Sequence, residues 1–297
     1  MDYKKIIKNK NIRLKILNIL FFIPDEIILK LEYRLKFGEK LNLKNPTTFN
    51  EKLQWLKLYD RRDIYTLMVD KLEVKKLISS KIGEEYTVPT LGFWDSFEEI
   101  NFDKLPNQFV LKCNHDSGSI MLCKNKKYFN YKKAKKHFDF HLKNDEYLLG
   151  REWPYKNVPR KIIAEPFLHE DNDKELFVKD YKFFCFGGVP KIMYISNDKG
   201  EDPRTDFFDM EFKHLPIKMK DPNSDIYPKC PFGFEKMKKI ASILSKDIPH
   251  LRVDFYVVNQ RIYVGELTFF HNSGFNEIKP KEWDLLMGSW IKLPNNK

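Results

Sequence analysis

Apolar residues over the first 85 positions recur with the spacing of amphipathic helices. Thr48 and Glu51 stand at the start of one such stretch, in the spacing of a capping box, which predicts that a helix begins there. A further helix is predicted from about Tyr65 to Ser79, and Gly83 is typical of the position that ends one. The N-terminal part of the chain is therefore expected to be helical.

From Val88 onwards the apolar residues form short runs bounded by Gly, Pro, Asn and Asp, a pattern typical of β-strands. Val88–Gly92 is expected to be a short edge segment. Phe109–Cys113 predicts a strand that runs into a loop and returns through Ile120–Cys123. Arg160–Leu168 predicts a strand interrupted at Pro166, because proline has no N–H to donate to a neighbouring strand.

Two β-hairpins are predicted in the second half of the chain. Tyr181–Phe186 and Val189–Ile195 flank Gly187-Gly188, a dipeptide that favours the left-handed backbone of a two-residue turn. Arg252–Val258 and Arg261–Phe270 form the second pair of strands. Each hairpin is expected to bring its two arms together as neighbouring antiparallel strands.

The remaining segments complete a mixed architecture. Helical spacing recurs at Tyr131–Leu149, Glu235–Ser245 and Pro280–Leu293. Residues 198–232 are rich in Pro, Asp and Asn, which predicts an irregular insertion. Helices followed by a β-rich body with further helices interspersed indicate an α+β protein with antiparallel sheets.

Composition restricts the partners without choosing one. The 297 residues are 42% hydrophobic and 15% aromatic, which excludes a disordered chain and allows one large domain or two lobes. The net charge of +11 favours acidic partners such as nucleotide phosphates, anionic lipid, a uronic-acid polymer or nucleic acid. Alternatively, the richness in Lys and Asn reflects codon bias, in which case the positive charge says nothing about a binding partner. The lysine-rich stretch 124–143 is likewise either a solvated helix face or a docking surface.

The cysteines and the longest apolar run bear on location. Four cysteines without a close pair predict buried, reduced thiols of a cytoplasmic protein: Cys113, Cys123, Cys185 and Cys230. The apolar run Ile16–Ile23 is too short to span a bilayer. It predicts either a helix docked on the core or a helix on the inner face of the plasma membrane. In the second case the basic residues facing anionic lipid would be Lys4, Lys5, Lys8, Lys10, Arg13 and Lys15.

The second hairpin carries two acids that could share one face of the sheet. For Asp254 and Glu266 to do so they must pair across the hairpin, with Gln260 at its centre. That register requires a loop with an odd number of residues or a bulge, and it places Thr268 on the same face. Two carboxylates held rigidly together suit Mg²⁺, which would bridge the phosphates of a nucleotide. The alternative is two surface acids paired with Arg or Lys.

Upstream segments supply candidate anion-binding groups. Lys112 precedes the small-residue loop Ser117-Gly118-Ser119, whose N–H groups could hold a phosphate, although the Walker loop pattern is absent. Lys182 lies in an aromatic strand, where it either extends to solvent or points at an anion. Backbone groups around Glu165 and Phe167 could contact an adenine edge. Nucleophile-elbow, zinc-protease and dinucleotide-binding motifs are absent from the sequence.

In order and spacing these segments resemble the ATP-grasp superfamily over about residues 65–275. More narrowly, Pro46–Trp55, Lys112–Gly118 and Gly265–Thr268 resemble the TupA-like ATP-grasp family, named for teichuronopeptide biosynthesis. That resemblance covers nearly the full length. Members tend to be encoded among bacterial surface-polysaccharide and capsule genes and are sometimes labelled glycosyltransferases. One departure is Thr268, where the family pattern Glu-x-Asn has an asparagine.

The resemblance implies a fold, cofactors and site residues. The fold would be ATP-grasp-like α+β, with an N-terminal helical extension (1–64), an N-terminal lobe (65–168) and a C-terminal lobe (169–297). ATP and Mg²⁺ would be the cofactors. Lys112 and Lys182 would act as catalytic phosphate-binding residues. The other cofactor-binding residues would be Lys71, Ser117, Gly118, Glu165 and Phe167, and the metal ligands would be Asp254, Glu266 and Thr268.

The resemblance also implies a reaction, an ATP-dependent ligation of a carboxylate to an amine through an acyl phosphate. The acceptor would be an anionic saccharide of a cell-surface polysaccharide, and no nucleic acid is expected as partner. A cytoplasmic location is expected, with peripheral contact at the inner membrane face as one hypothesis. Two alternatives remain at this point. One is a glycosyltransferase or sugar kinase that uses the same hairpin, and the other is a non-catalytic module that docks on membrane or polysaccharide.

Overall fold

The computed structural model describes residues 10–169, 178–197 and 203–294. The α-helices in these residues are α1 (Lys10–Ile19), α2 (Asp25–Phe37), α3 (Phe49–Tyr59), α4 (Ile64–Val69), α5 (Val74–Ile82), α6 (Tyr131–Lys143), α7 (Phe234–Leu244) and α8 (Lys281–Trp290). The strands are β1 (Gly92–Trp94), β2 (Phe109–Cys113), β3 (Met121–Cys123), β4 (Ile162–Pro166), β5 (Asp180–Phe186), β6 (Val189–Asn197), β7 (Arg204–Phe208), β8 (His214–Leu215), β9 (Leu251–Val258) and β10 (Arg261–Thr268). The predicted α+β class with antiparallel sheets is confirmed.

A four-stranded sheet has the order β1-β4-β2-β3 with antiparallel neighbours. Along β2 the side chains of Phe109 and Leu111 are buried on one face, where α6 packs through Phe138. Alternation along the strand therefore places Lys112 on the opposite face. The lysines of α6 lie mainly on its outer side, as expected of a solvated helix face.

A six-stranded antiparallel sheet has the order β10-β9-β5-β6-β7-β8. Its central strands bury Phe183 and Phe255 in a large core, to which α7 contributes Met237. The predicted first hairpin is confirmed, since Gly187 and Gly188 form a two-residue turn with φ of 57° and 89°. Both glycines adopt a left-handed backbone that favours this residue.

The N-terminal helices join the two sheets. The capping box at Thr48 and Glu51 is confirmed at the start of α3. The single helix predicted from Tyr65 to Ser79 is wrong, because the chain breaks into α4 and α5 around Asp70. The Asp70 carboxylate accepts hydrogen bonds from the backbone N–H of Leu72 (2.8 Å) and from the Asn114 side chain (2.9 Å). This break places Lys71 on a turn instead of a helix face.

Other boundaries differ from expectation. The edge strand is Gly92–Trp94 and lies beyond most of the predicted segment Val88–Gly92. The irregular insertion predicted at 198–232 contains β7 and β8, because this stretch pairs with β6 and extends the large sheet, while residues 198–202 lie outside the described part. Cys113, Cys123 and Cys185 are buried free thiols as predicted, but Cys230 is exposed.

Helix α1 docks on the protein through part of its apolar surface. Leu14 and Leu17 are buried, and Leu17 packs against Tyr147 and Leu148. Other large apolar residues around α1 and α2 remain exposed: Ile12, Ile16, Ile19, Phe21, Phe22, Ile27 and Leu31. The basic side chains expected at the membrane, from Lys4 to Lys15, lie outside the described part. None of the helices in residues 10–169, 178–197 and 203–294 has the length and apolar composition needed to cross a bilayer.

Candidate active site

The hairpin of β9 and β10 has the register that the sequence predicts. Asp254 pairs with Glu266, and the required extra residue is supplied by a bulge at Gly265. The turn itself has two residues, Asn259 and Gln260, with φ of 47° and 61°. Glycine is needed at the bulge because a Cβ at position 265 would lie 2.4 Å from the ring of Tyr256. The two acids consequently share a face of the sheet.

Asp254 is a buried carboxylate, 1% exposed, held between two cations. It accepts two hydrogen bonds of 2.7 Å from the Arg252 guanidinium and one of 2.8 Å from Lys182. Burial alone would raise the pKa of Asp254, but Arg252 and Lys182 outweigh it and hold that pKa below its usual value. The same carboxylate and Asp180 raise the pKa of Lys182 against the effect of burial. Both groups are therefore charged at neutral pH.

Three oxygen-bearing side chains converge on the guanidinium of Arg252. Its Nη2 lies 2.7 Å from Asp254, 3.0 Å from the Thr268 hydroxyl and 3.9 Å from Glu266. On its other side Nη1 contacts Nδ1 of His271 at 2.7 Å. Carboxylate and hydroxyl oxygens are donor types that Mg²⁺ takes, so the donor chemistry of Asp254, Glu266 and Thr268 suits the ion. In this structure all three face the Arg252 guanidinium.

These residues would not complete the coordination of Mg²⁺ alone. Within the described ranges no group of three or more His, Cys, Asp or Glu side chains could hold a metal. Mg²⁺ commonly takes one or two carboxylates together with substrate phosphates and water. Asp254 and Glu266 are such a pair of carboxylates, so phosphate oxygens would have to supply further ligands.

Lys71 joins the hairpin to the loop that follows β2. Its ammonium lies 3.2 Å from Glu266 and donates a hydrogen bond of 2.5 Å to the backbone carbonyl of Asp116. Burial alone would lower the pKa of Lys71, but Glu266 and Asp116 together raise it above its ordinary value. Lys71 is therefore a charged contact between the two sheets.

The loop after β2 is held by contacts of the buried Asp116 side chain, whereas its tip is exposed. The Asp116 carboxylate accepts a hydrogen bond of 2.5 Å from Ser119 and contacts Nδ1 of His141 on α6. These contacts lower the pKa of Asp116 although burial opposes the change. Ser117 and Gly118 lie at the exposed tip, and Gly118 has φ of 97°, a left-handed backbone that favours glycine.

A second charged cluster lies on the face of the small sheet. Glu165 on β4 pairs with Lys112 at 2.6 Å and with Lys75 at 2.7 Å. The two lysines outweigh the effect of burial and lower the pKa of Glu165. Lys71, on the turn before α5, contacts Glu266 of the hairpin, and Lys75, in the first turn of α5, contacts Glu165 of the small sheet. This short segment therefore contacts both charged clusters. Phe167 follows β4 and stacks on His169 with ring centroids 5.9 Å apart.

A cavity of about 530 Å³ opens beside the hairpin. Arg252, Glu266 and Thr268 form one wall, and Ser117 reaches it from the loop after β2. The remaining lining includes both acidic and apolar side chains: Glu146, Glu152, Leu149, Tyr155, Phe270 and Phe275. A small molecule in this space would lie against Glu266 of the hairpin, with Asp254 buried behind Arg252.

The structure thus groups Lys71, Lys182, Asp254, Glu266 and Thr268, and groups Lys112 with Glu165 on the neighbouring sheet. Sequence reasoning did not assign Arg252, Lys75 or Glu152 to the site. Two of these carry a signal in retrospect. Arg252 precedes Asp254 by two residues on a strand and so shares its face. Lys75 stands four residues after Lys71, a spacing that would place both on one face if the predicted helix from Tyr65 to Ser79 were continuous. Glu152 carries none.

Comparison with known proteins identifies one family. The family model described as TupA-like ATPgrasp matches residues 51–292. No curated protein matches the chain in sequence.

Several solved structures are similar to the chain. D-alanine–D-alanine ligase from Bacillus anthracis is 17% identical with a TM-score of 0.39, over 68% of this chain and 57% of its own. The corresponding ligase from Helicobacter pylori is 15% identical with a TM-score of 0.43, over 84% and 68%. The ATP-grasp ligase PsnB, complexed with minimal precursor, Mg and ADP, is 9% identical with a TM-score of 0.38, over 74% and 57%. The chain thus spans less than two thirds of two of these three proteins.

Proposed function

The chain belongs to the TupA-like ATP-grasp family, and from this membership we propose that it is an ATP- and Mg²⁺-dependent ligase joining a carboxylate to an amine. The observation that carries the proposal is the cavity wall formed by Arg252, Glu266 and Thr268 beside the buried Asp254. Lys71 and Lys182 each pair with one of the two acids. Acids and lysines in this arrangement suit the binding of a metal–nucleotide complex.

In this proposal each charged residue has a defined role. Asp254 and Glu266 hold Mg²⁺ with help from the Thr268 hydroxyl. When bound, the ion neutralises charge on the ATP phosphates during phosphoryl transfer. Lys71, Lys112 and Lys182 bind phosphate oxygens, which requires each lysine to exchange its present carboxylate partner for the nucleotide.

The remaining nucleotide contacts come from backbone and aromatic groups. Ser117 and Gly118 offer backbone N–H groups to the phosphates at the exposed loop tip. Glu165 and Phe167 contact adenine where β4 ends. We further propose that the division into an extension at 1–64 and lobes at 65–168 and 169–297 describes the halves that close over ATP. The four-stranded sheet falls within 65–168, and the six-stranded sheet within 169–297.

The chemistry proposed is transfer of the γ-phosphoryl group of ATP to a substrate carboxylate, which gives an acyl phosphate and ADP. The amine then attacks the acyl carbon and releases phosphate. The arginine and lysine cations would stabilise the negative charge of both steps. The carboxylate is proposed to belong to an anionic unit of a cell-surface polysaccharide or its precursor, consistent with the net charge of +11.

Product analysis tests the proposed reaction against its alternatives. With ATP, Mg²⁺, a uronic acid and an amine, we expect ADP and inorganic phosphate in equal amounts, both dependent on the amine. A sugar kinase would form ADP without free phosphate, and a glycosyltransferase would consume a sugar nucleotide instead. A docking module would leave ATP unchanged. Separation of nucleotides by chromatography with a phosphate assay distinguishes these outcomes, and any of the last three would contradict the ligase.

We also propose peripheral contact with the inner face of the plasma membrane. Phe21 and Phe22 are each 69% exposed, and Ile19 is 71% exposed, at the end of α1. Insertion of two phenyl rings and an aliphatic side chain into an acyl boundary would be favourable by about 1.5–3 kcal/mol each.

Flotation with anionic liposomes tests this contact. We expect a Phe21→Ser/Phe22→Ser variant to lose most of its binding because the inserted apolar area is removed. The control is Phe232→Ser, which removes another exposed phenyl ring (54% exposed) outside this segment. Equal flotation of the double variant and the wild-type protein would contradict the proposal.

A further inference from the structure

Glu152 is a carboxylate in the cavity wall whose negative charge is only partly offset by the nearby ammonium of Lys57. It immediately precedes the short helix Trp153–Tyr155 and faces the cavity together with Glu146 and Glu266. Its carboxylate accepts a hydrogen bond from the hydroxyl of Ser273.

The charged groups around Glu152 leave its negative charge unbalanced. Lys57 offsets part of it, but the ammonium of Lys57 donates its hydrogen bonds to Gln54 (2.9 Å) and to the backbone carbonyls of Gly150 and Ser273 (both 2.7 Å). Burial, with smaller contributions from Glu146 and Glu266, raises the pKa of Glu152 to about 7. A carboxylate that is shielded from water, and whose negative charge is only partly offset by neighbouring groups, is stabilised by a cation that enters the cavity.

The form of the cavity favours an organic cation over a metal ion. The described residues contain no cluster of three metal-ligating side chains, here or elsewhere. Apolar surface from Leu149, Tyr155, Phe270 and Phe275 lines the same space and would pack against carbon atoms. A volume of about 530 Å³ lies within the range of about 300–1,000 Å³ that small-molecule sites occupy.

We propose that the cavity receives the amine substrate in its ammonium form and that Glu152 binds the ammonium group and accepts its proton. The proton passes from the substrate nitrogen to a carboxylate oxygen of Glu152, which leaves a neutral amine with a free electron pair. Ser273 acts as a positioning residue through its hydrogen bond to the carboxylate. This inference rests on the proposed ligase function and specifies the charge of the amine that the site selects.

Two properties of Glu152 support this role. Because its pKa is about 7, the group can hold and release a proton near neutral pH, as a general base requires. Glu266 lines the same cavity and belongs to the β9–β10 hairpin, so an amine bound at Glu152 would share the cavity with the proposed metal–nucleotide site. The site would therefore bring the nucleophile and the activated carboxylate into one cavity.

Titration calorimetry on the full-length protein tests the inference. The probes are primary ammonium ions from methylammonium to butylammonium as chlorides, with sodium chloride at equal ionic strength as reference. Binding of an ammonium ion stabilises the ionised carboxylate, so near pH 7 we expect a net release of protons, with a definite number per bound ion. Repetition in buffers of different ionisation enthalpy measures this number directly.

Three variants complete the test. Glu152→Gln should lose both ammonium binding and proton release, whereas Glu282→Gln, an exposed acid on α8, should match the wild-type protein. Ser273→Ala should move maximal proton release to higher pH, because loss of the hydrogen bond raises the pKa of Glu152 further. A merely structural Glu152 would not change the proton count.

Folding of Glu152→Gln is checked by its melting temperature at pH 8. The wild-type carboxyl holds its proton more tightly when folded than when unfolded, so its ionisation costs stability as pH rises from about 4.5 to about 7. The variant should therefore melt no lower than the wild-type protein at pH 8. Absence of saturable ammonium binding, or equal binding and proton release in Glu152→Gln, would overturn the inference. Mg-ATP binding measured in parallel separates this failure from failure of the ligase proposal.

Discussion

Replacement of Glu266 by glutamine should lower Mg²⁺-dependent ADP formation by about a thousand-fold or more, because it removes one of the two carboxylates that we propose as ligands of the ion. The fold should survive the change. The Glu266 side chain is 27% exposed, and its ion pair with Lys71 spans 3.2 Å. The Lys71 side chain is only 12% exposed but keeps its hydrogen bond to the Asp116 carbonyl, so loss of the pair costs about 1–3 kcal/mol.

The matched control for this prediction is Glu277→Gln, which neutralises a nearby acid whose side chain is 63% exposed. ADP formation should be unchanged in that variant. Thermal unfolding of both variants separates loss of activity from loss of structure. Near wild-type turnover in a folded Glu266→Gln protein would remove Glu266 from the metal site.

Substitution of Asp254 tests the same site less selectively, because it affects stability as well as activity. Its carboxylate is bonded to both Arg252 and Lys182 in the protein interior. Asp254→Asn would remove the closest charged partner of two buried cations, at a cost of about 3–5 kcal/mol. Lys182 would keep only Asp180 at 3.4 Å and Arg252 only Glu266 at 3.9 Å. The sequence alone suggests that this variant keeps its fold. The structure indicates that it loses stability as well as activity.

Glu165→Gln should destabilise the protein by about 3 kcal/mol at neutral pH, the second large effect that we expect. The substitution removes the carboxylate that lies between Lys75 and Lys112 and leaves two lysines facing each other. Lys75→Met should cost less, since Glu165 would keep Lys112 as its partner. Chemical denaturation monitored by tryptophan fluorescence measures both differences.

The effect of Glu165→Gln should also depend on pH. The folded protein holds the pKa of Glu165 below its ordinary value of about 4.5. Ionised Glu165 therefore contributes stability above the unfolded pKa, and that contribution is lost as pH falls through the folded pKa. The difference between variant and wild-type protein should shrink below about pH 4. A pH-independent difference would contradict the ion-pair explanation.

The hairpin was the most predictable part of the site. Strand alternation and the positions of Asp254 and Glu266 required a loop with an odd number of residues or a bulge, and the structure contains the bulge at Gly265. This inference succeeded because the two-residue period of a strand fixes which side chains share a face. The same period could have drawn attention to Arg252.

The features of the fold and of the site that could not be predicted from the sequence depend on contacts between segments far apart in the chain. The break between α4 and α5 arises because Asp70 caps a new turn and bonds Asn114, a residue 44 positions away. Residues 204–215 lack a strong strand pattern but extend the large sheet by pairing with β6. Glu152 acquires its chemistry only from burial and from neighbours brought in by other segments.

Calorimetric titration with ATP, in the presence and absence of Mg²⁺, tests the central claim most directly. The account predicts saturable binding of ATP that Mg²⁺ strengthens in the wild-type protein, with the Mg²⁺ effect lost in Glu266→Gln. Sugar nucleotides should not replace ATP. Failure of the folded wild-type protein to bind ATP under either condition would contradict the assignment of this site to a metal–nucleotide complex.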